Sequence, residues 1–177
     1  MNDYIIGEKV ILRPITEADT DLVVKWRNDP LVKKNFIYRG EFTRDGHLKW
    51  LREKVEPGIV LQCIIEIKED SSPIGSVYFK NLDQVNKCAE YGIFIGEKSA
   101  RGKGLGTETA KLFTRYGFEV LGLHRITLRL ISTNDVAYKS YISAGFKYEG
   151  TARDMVLLDG KYEDIVFMSI LEGEYNQ

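Results

Sequence analysis

The residues with the clearest chemical potential are Arg101-Gly102-Lys103-Gly104-Leu105-Gly106. They stand between a strand-like segment and a helix-like one. Glycines at 102, 104 and 106 strip the side chains from the turn, so main-chain amides can approach an anion closely. The following helix adds unpaired N–H groups and the positive end of its dipole. Arg101 and Lys103 add charge. Such a turn suits a pyrophosphate, although a tight connection that binds nothing has the same local pattern. No Gly-Lys-Ser/Thr closes it, so it is not a Walker loop. Nor is it the dinucleotide fingerprint, which needs G-x-G-x-x-G in an early βαβ unit and an acidic residue after the next strand.

Other reactive residues are sparse. Cys63 and Cys88 belong to no CxxC or Cys/His arrangement and read as small apolar residues in a reducing, cytoplasmic setting. His47 and His124 have no ligand-spaced partner, so no metal site is expected. The net charge of −1 gives no basic stripe of the kind that binds nucleic acid, and Lys33-Lys34 reads as a solvated face. No secretory start is visible. No apolar run approaches the roughly 20 residues needed to cross a bilayer. A small-molecule or peptide partner is expected, with neither nucleic acid nor membrane.

The elements that must position the loop follow from periodicity. Residues 9–13 alternate and end at Pro14, predicting a strand. Thr16 with Glu17 and Asp19 is a helix start; Leu22, Val23 and Trp26 share one face, and Pro30 ends the helix near Asn28. A second helix is expected over 43–54, with Leu48 and Leu51 inward, stopped by Pro57-Gly58. Strands follow at 60–68, 74–80 and 90–95. After the loop come a helix over 107–120, a strand at 125–132 and a helix from the Asn134 cap to Ala144, closed by Gly145. A hairpin of 151–158 and 162–171 turns at Asp159-Gly160. With no repeat or linker, one α/β domain is the economical reading.

Glu90-Tyr-Gly-Ile-Phe-Ile followed by Arg-Gly-x-Gly-x-Gly resembles the coenzyme A loop of GNAT acetyltransferases. The likeness is greatest to the branch related to ribosomal-protein N-acetyltransferases (the RimJ/RimL type). Asn134, Ala137, Tyr141 and Gly145-Phe146 are spaced as in that family's second cofactor motif. Gly150, Arg153-Asp154, Asp159-Gly160, Tyr162, Asp164 and Met168 are similar to its closing hairpin. Leu12-Arg13-Pro14 and Asp19 resemble its opening strand and helix. The resemblance implies a single GNAT-type domain over residues 1–177. Its α/β (α+β) fold would have a central mixed, mostly antiparallel twisted sheet of about seven strands flanked by about four helices.

It also implies an acetyl-coenzyme A-dependent N-acetyltransferase, in which a primary amine attacks the thioester directly in a ternary complex. The amides of Gly102, Gly104 and Gly106, with Leu105 and Thr107, would hold the pyrophosphate. Main-chain groups near Phe94 and Ile95 would pair with the pantetheine arm as an extra strand, with an amide around Phe94 as oxyanion donor. Asn134 would touch the pantetheine or cap its own helix. Tyr141 would be the general acid for the departing thiolate, which a phenol of ordinary pKa near 10 can protonate. Helical position alone makes Tyr141 a core aromatic; only the motif assigns it this role. Glu90 is the candidate base, directly or through water, or else an ordinary strand-end charge. Glu163 and Asp164 are weaker candidates, and His124 reads as structural.

On the acceptor side, Trp26 and Arg27 end the first helix, and His47 and Trp50 lie three apart on one face of the second. In the GNAT fold these helices wall the acceptor cleft. The pair resembles the subgroup that acetylates nucleotide-linked amino sugars. That implies Arg27 against a diphosphate and Trp26, His47 or Trp50 against a ring or sugar, with Tyr78 and Lys80 also facing the cleft. The plainer alternative makes both tryptophans core, Arg27 a partner of helix-end carbonyls and His47 exposed. The expected acceptor is a small-molecule amine. A protein N-terminus is the alternative that an acidic cleft would favour, where a basic cleft around Arg27 would favour the nucleotide sugar. A non-catalytic module that binds acetyl-coenzyme A is the third reading. Homodimers are common among such relatives, but no residue proves one.

Overall fold

The computed structural model of the protein describes residues 4–175. Its strands are β1 (Ile5–Ile6), β2 (Val10–Pro14), β3 (Leu61–Ile67), β4 (Pro73–Asp83), β5 (Cys88–Ile95), β6 (Arg125–Ile131), β7 (Lys147–Leu158) and β8 (Lys161–Leu171). Its α-helices are α1 (Thr20–Asn28), α2 (Pro30–Lys33), α3 (Arg44–Trp50), α4 (Leu105–Glu119) and α5 (Asp135–Ser143). The strands form one sheet in the order β1-β2-β3-β4-β5-β6-β8-β7. Only β5 and β6 run parallel; the other pairs are antiparallel. The expected mixed sheet is present with one additional strand, β1, whose two residues are too few to show an alternation.

Polar side chains set the helix boundaries. Thr16 N–H donates to Asp19 Oδ2 at 2.9 Å, closing a 3₁₀ turn (Glu17–Asp19) ahead of α1. Arg13 Nη1 and Nη2 grip the same carboxylate at 2.8 and 2.6 Å, which fixes α1 to β2. Pro30 ends α1 as expected, and it also starts α2. There Asp29 Oδ1 accepts the Leu31 N–H at 2.7 Å, and proline's missing donor costs nothing at a first helical position. The helix expected over 43–54 changes character midway. After α3 comes a π-helical turn (Leu51–Val55), with Glu56 N–H donating to Leu51 O at 2.9 Å.

Strand alternation divides the apolar residues between two faces. Cys63, Ile65, Val77, Phe79 and Tyr91 pack under α4 and α5, where Phe79 stacks on Phe113 at 4.2 Å. Ile64 and Phe94 face the other way, against Val23, Trp26 and Leu51 from the helices on that side. The feature that matters for function lies between β5 and β6. They pair only from Cys88–Arg125 to Glu90–Thr127. Beyond Glu90, β5 follows β4 to Ile95 while β6 follows β8 to Ile131. The strands diverge and open a V-shaped gap within the sheet.

Candidate active site

The gap exposes main-chain groups of β5. Gly96 N–H donates to Ile74 O at 2.7 Å. Antiparallel pairs alternate between bonded and non-bonded, so Ser76–Phe94 and Tyr78–Gly92 are bonded pairs in this register. The position of Phe94 O agrees: a Cβ added at Gly75 would lie 2.1 Å from it. Phe94's main chain is therefore committed to β4, and those of Tyr91, Ile93 and Ile95 face the gap. The gap-facing main-chain groups are therefore those on either side of Phe94, because the parity depends on which strand is the partner. Phe94's ring instead meets Trp26 and Phe36 edge-on, with centroids 6.1 and 5.7 Å away.

The glycine loop closes one end of the gap. Gly102 and Gly104 have φ of 74° and 77°, a left-handed backbone that side chains disfavour. Gly104 occupies the N-cap of α4 and brings no capping side chain, so the first-turn amides of Leu105, Gly106 and Thr107 lack that partner. Arg101 is turned back: its Nε donates to Ile95 O at 3.2 Å and its Nη2 to Gly96 O at 2.9 Å. It braces the end of β5. Thr107 Oγ1 lies 2.8 Å from Ser140 Oγ, tying α4 to α5.

Helix α5 forms the adjoining wall. Asn134 Oδ1 accepts the Ala137 N–H at 3.3 Å, so Asn134 is a helix cap. Tyr141 is buried, edge-on to Tyr91 at 6.1 Å and 5.8 Å from Phe146. Burial raises its pKa above the ordinary phenol value and holds the proton on oxygen. The Tyr91 hydroxyl is buried with no hydrogen-bond partner.

The acceptor side lies across the sheet. Arg27 is 8% exposed, and its Cζ sits 3.2 Å from the Phe36 ring centroid and 4.4 Å from that of Phe42. Among the described residues its guanidinium has no hydrogen bond or ion pair, and its Nε is shut off from solvent. It does not bond helix-end carbonyls. Burial pushes its pKa down to about 10. The 34–43 segment that carries Phe36, Tyr38 and Phe42 is fastened at both ends. Asn28 Nδ2 donates to Phe42 O at 2.7 Å while Asn28 Oδ1 accepts the Phe42 N–H at 2.9 Å. Arg39 pairs with Asp159 on the β7–β8 turn.

His47 is 2% exposed rather than solvated. Its Nδ1 is 3.1 Å from Thr20 Oγ1, and its Nε2 has no partner. Burial lowers its pKa, with Asp19 opposing. Trp50 Nε1 donates to Gln62 Oε1 at 2.9 Å, and Trp26 Nε1 donates to Glu97 at 2.7 Å from a buried core position. Both oxygens of Glu90 are engaged: Arg129 donates at 3.1–3.3 Å, Asn81 at 3.1 Å, and Lys80 Nζ stands at 3.2 Å. That arrangement anchors two cations. Asp164 accepts the Asp154 N–H, Glu163 pairs with Lys161, and His124 is exposed beside Glu172. None of these three borders the gap.

One continuous cavity of about 1290 Å³ joins the two sides. It is bordered by Tyr141 and Glu90, by Phe94, Ile95, Asn134 and the loop residues other than Lys103, and by Arg27, His47, Trp50 and Tyr78. Its basic lining residues are Arg27, Lys34, Lys80, Arg101, Arg129 and Lys139, against the carboxylates of Glu90 and Asp135.

Residues 9–147 match the family described as an acetyltransferase (GNAT) domain. The chain belongs to the GNAT acetyltransferase family. It is 31% identical over 173 residues to spermidine N(1)-acetyltransferase of Escherichia coli (strain K12), covering 96% of this chain and 89% of that one. It is 36% identical over 106 residues to the putative ribosomal N-acetyltransferase YdaF of Bacillus subtilis (strain 168), covering 60% and 57%. The fold superposes on spermidine N-acetyltransferase from Vibrio cholerae in complex with CoA and spermine. The TM-score is 0.89 at 22% identity, with 96% of this chain and 99% of that one covered.

As a GNAT N-acetyltransferase the chain takes its acetyl group from acetyl-coenzyme A, and the gap suits that donor. Gap-facing main-chain groups of Ile93 and the Ile95 amide lie along one edge, uncapped amides of α4 at one end and a buried phenol beside them. Sequence reasoning missed Tyr91, Arg129 and the aromatic 34–43 segment. The signal for the last was present, since Phe36, Tyr38 and Phe42 crowd what reads as a plain connection. Arg129 carries no such mark, because its partner Glu90 is 39 residues away.

Proposed function

We propose that this GNAT enzyme acetylates the primary amine of a small anionic molecule, with a nucleotide-linked amino sugar as the favoured acceptor. The observation that carries this reading is Arg27, a buried guanidinium with no anion of its own. Burying an unpaired charge is costly, and an acceptor that brings a phosphate would relieve the cost. Phe36, Tyr38 and Phe42 supply apolar faces beside it for a ring. The cationic surplus of the lining opposes a polyamine and a basic peptide N-terminus alike. Tyr141, buried with its proton retained, speaks against a module that only binds the donor.

Acetyl-coenzyme A supplies the acetyl group activated as a thioester. In this reading the amides of Gly102, Gly104, Leu105, Gly106 and Thr107 grip its pyrophosphate. The gap-facing groups of Ile93 and Ile95 hold the pantetheine arm as a strand would, and an amide there stabilises the developing oxyanion. Tyr141 Oη gives its proton to the leaving sulfur and is reprotonated, through water, by the proton lost from the amine nitrogen. Glu90 reaches that proton only through water, and its direct role is to hold Lys80 and Arg129 in place.

A thiol-release assay tests the acceptor class, with a uridine-diphosphate-linked 4-amino sugar, spermidine and peptide N-termini as probes. Release with the nucleotide sugar is expected. Release confined to spermidine or to peptides overturns the anionic assignment.

A further inference from the structure

Tyr78 on β4 and Gly92 on β5 are cross-strand partners. The phenol lies over the glycine: a Cβ built at Gly92 would meet Tyr78 Cζ at 2.3 Å and Oη at 2.4 Å. The side chain of Tyr78 therefore crosses β5 instead of standing off β4. This brings its hydroxyl beside the point where β5 leaves β6, two residues past their last pair at Glu90. Both residues border the cavity. Gly92 is not among the glycines with positive φ, so its backbone does not demand glycine. Glycine inside a strand weakens it and marks a close approach by some other group; here that group is the Tyr78 ring.

The Tyr78 hydroxyl makes no hydrogen bond among the described residues. Burial raises its pKa, with Arg27 opposing and Glu90 adding to the rise. Tyr141, reaching the cavity from α5, feels Tyr78 electrostatically. The phenol of Tyr78 thus borders the same cavity as the guanidinium of Arg27 and the buried general-acid candidate.

We propose that Tyr78 holds the acceptor amine, its phenol oxygen accepting a hydrogen bond from the amine N–H, and that Gly92 is the positioning residue that lets the ring reach across β5. The proposal rests on the small-amine reading above and adds the contact that orients the nucleophile. With one N–H held by Tyr78 Oη, the nitrogen lone pair stays free for attack.

Gly92→Ala tests this. The new methyl meets the far end of a side chain and not the backbone, so the ring gives way and the fold survives. With the nucleotide-linked 4-amino sugar as acceptor, kcat/KM is expected to fall at least roughly tenfold, the scale of one lost hydrogen bond. Tyr78→Phe should show a similar loss, and the double variant no more than the worse single one. Coenzyme A binding by calorimetry should stay within about twofold of wild type. Multiplicative losses, or a silent Gly92→Ala, overturn the proposal. An absorbance titration of the phenols separates it from the acceptor reading. A displaced Tyr78 ring should ionise near its ordinary value of about 10, so Gly92→Ala should show one more phenol in that range than wild type. Coincident titration curves overturn the positioning role whatever the acceptor. No transfer to any amine by wild type overturns the acceptor assignment and the Tyr78 contact together, while the titration still decides what Gly92 does.

Discussion

Replacing Arg27 by methionine should make the acceptor-free protein more stable and useless for its acceptor. Burial holds the folded guanidinium at about 10, well below its ordinary value. At about 1.36 kcal/mol per pH unit, that is about 3 kcal/mol of preference for shedding the charge. The Phe36 ring at 3.2 Å and the Phe42 ring at 4.4 Å return on the order of 1 kcal/mol by attraction to the cation. Methionine fills similar volume against the same rings. A net gain of about 2 kcal/mol raises the melting temperature by about 4–8 °C in a chain of this size. The folded value lies below the unfolded one, so the penalty is complete below about pH 10 and fades only as pH rises beyond it. The offset between the two proteins should be flat from about pH 6 to 9. The assay is thermal melting with coenzyme A saturating in every sample, so that the glycine loop is filled, with and without uridine diphosphate. At a hundredfold excess over its Kd the nucleotide adds about 2.7 kcal/mol to wild type and little to Arg27→Met. A variant that melts at or below wild type without nucleotide, or equal stabilisation of both proteins by it, refutes the reasoning.

Three further outcomes are expected. Tyr141→Phe should lower kcat by about 10²-fold or more with coenzyme A affinity by calorimetry unchanged; unchanged turnover removes Tyr141 from the reaction. Gly104→Ala forces a side chain into φ of 77° at about 1–2 kcal/mol, so the melting temperature should drop and coenzyme A should bind roughly tenfold more weakly; wild-type affinity would show that the turn does not hold the donor. At Asp19 burial pushes the pKa up, but hydrogen bonds from Arg13 and Thr16 outweigh it and leave the value lowered. Its contribution is therefore present above about pH 4 and lost as pH falls below that. Urea midpoints of wild type and Asp19→Asn should differ at about pH 7 and draw together as pH falls below about 4, and curves that stay parallel would contradict the sign.

Local patterns were legible in the sequence. The glycine loop, the Asn134 cap, the Asp159-Gly160 hairpin and the Thr16 start each rest on residues a few positions apart, and each appears where expected. Features that depend on pairing were not. The alternation of 90–95 shows a strand but not which neighbour takes its amides, so the expected donor could be placed only around Phe94 and not on a particular amide. The ion pairs of Glu90 were hidden because Arg129 and Lys80 reach it only through the folded sheet. Arg27 looked like a helix-end residue, and the absence of any partner becomes visible only when every surrounding group is in place. The helix over 43–54 hid its π turn because the widening falls across Arg52, Glu53 and Lys54, which carry no apolar signal.

The short parallel contact between β5 and β6 has a mechanical consequence. Among the described residues, strand pairing between the half-sheet of β1 to β5 and the half-sheet of β6 to β8 is confined to Cys88–Glu90 and Arg125–Thr127. An acyl carrier laid along Ile93 and Ile95 would act as a missing rung and splint the two halves. Amide exchange should then slow on both flanks of the seam, including β6 residues that never touch the carrier. The order in which the two substrates enter would follow from that stiffening, with the acceptor chamber taking its shape only after the splint is in.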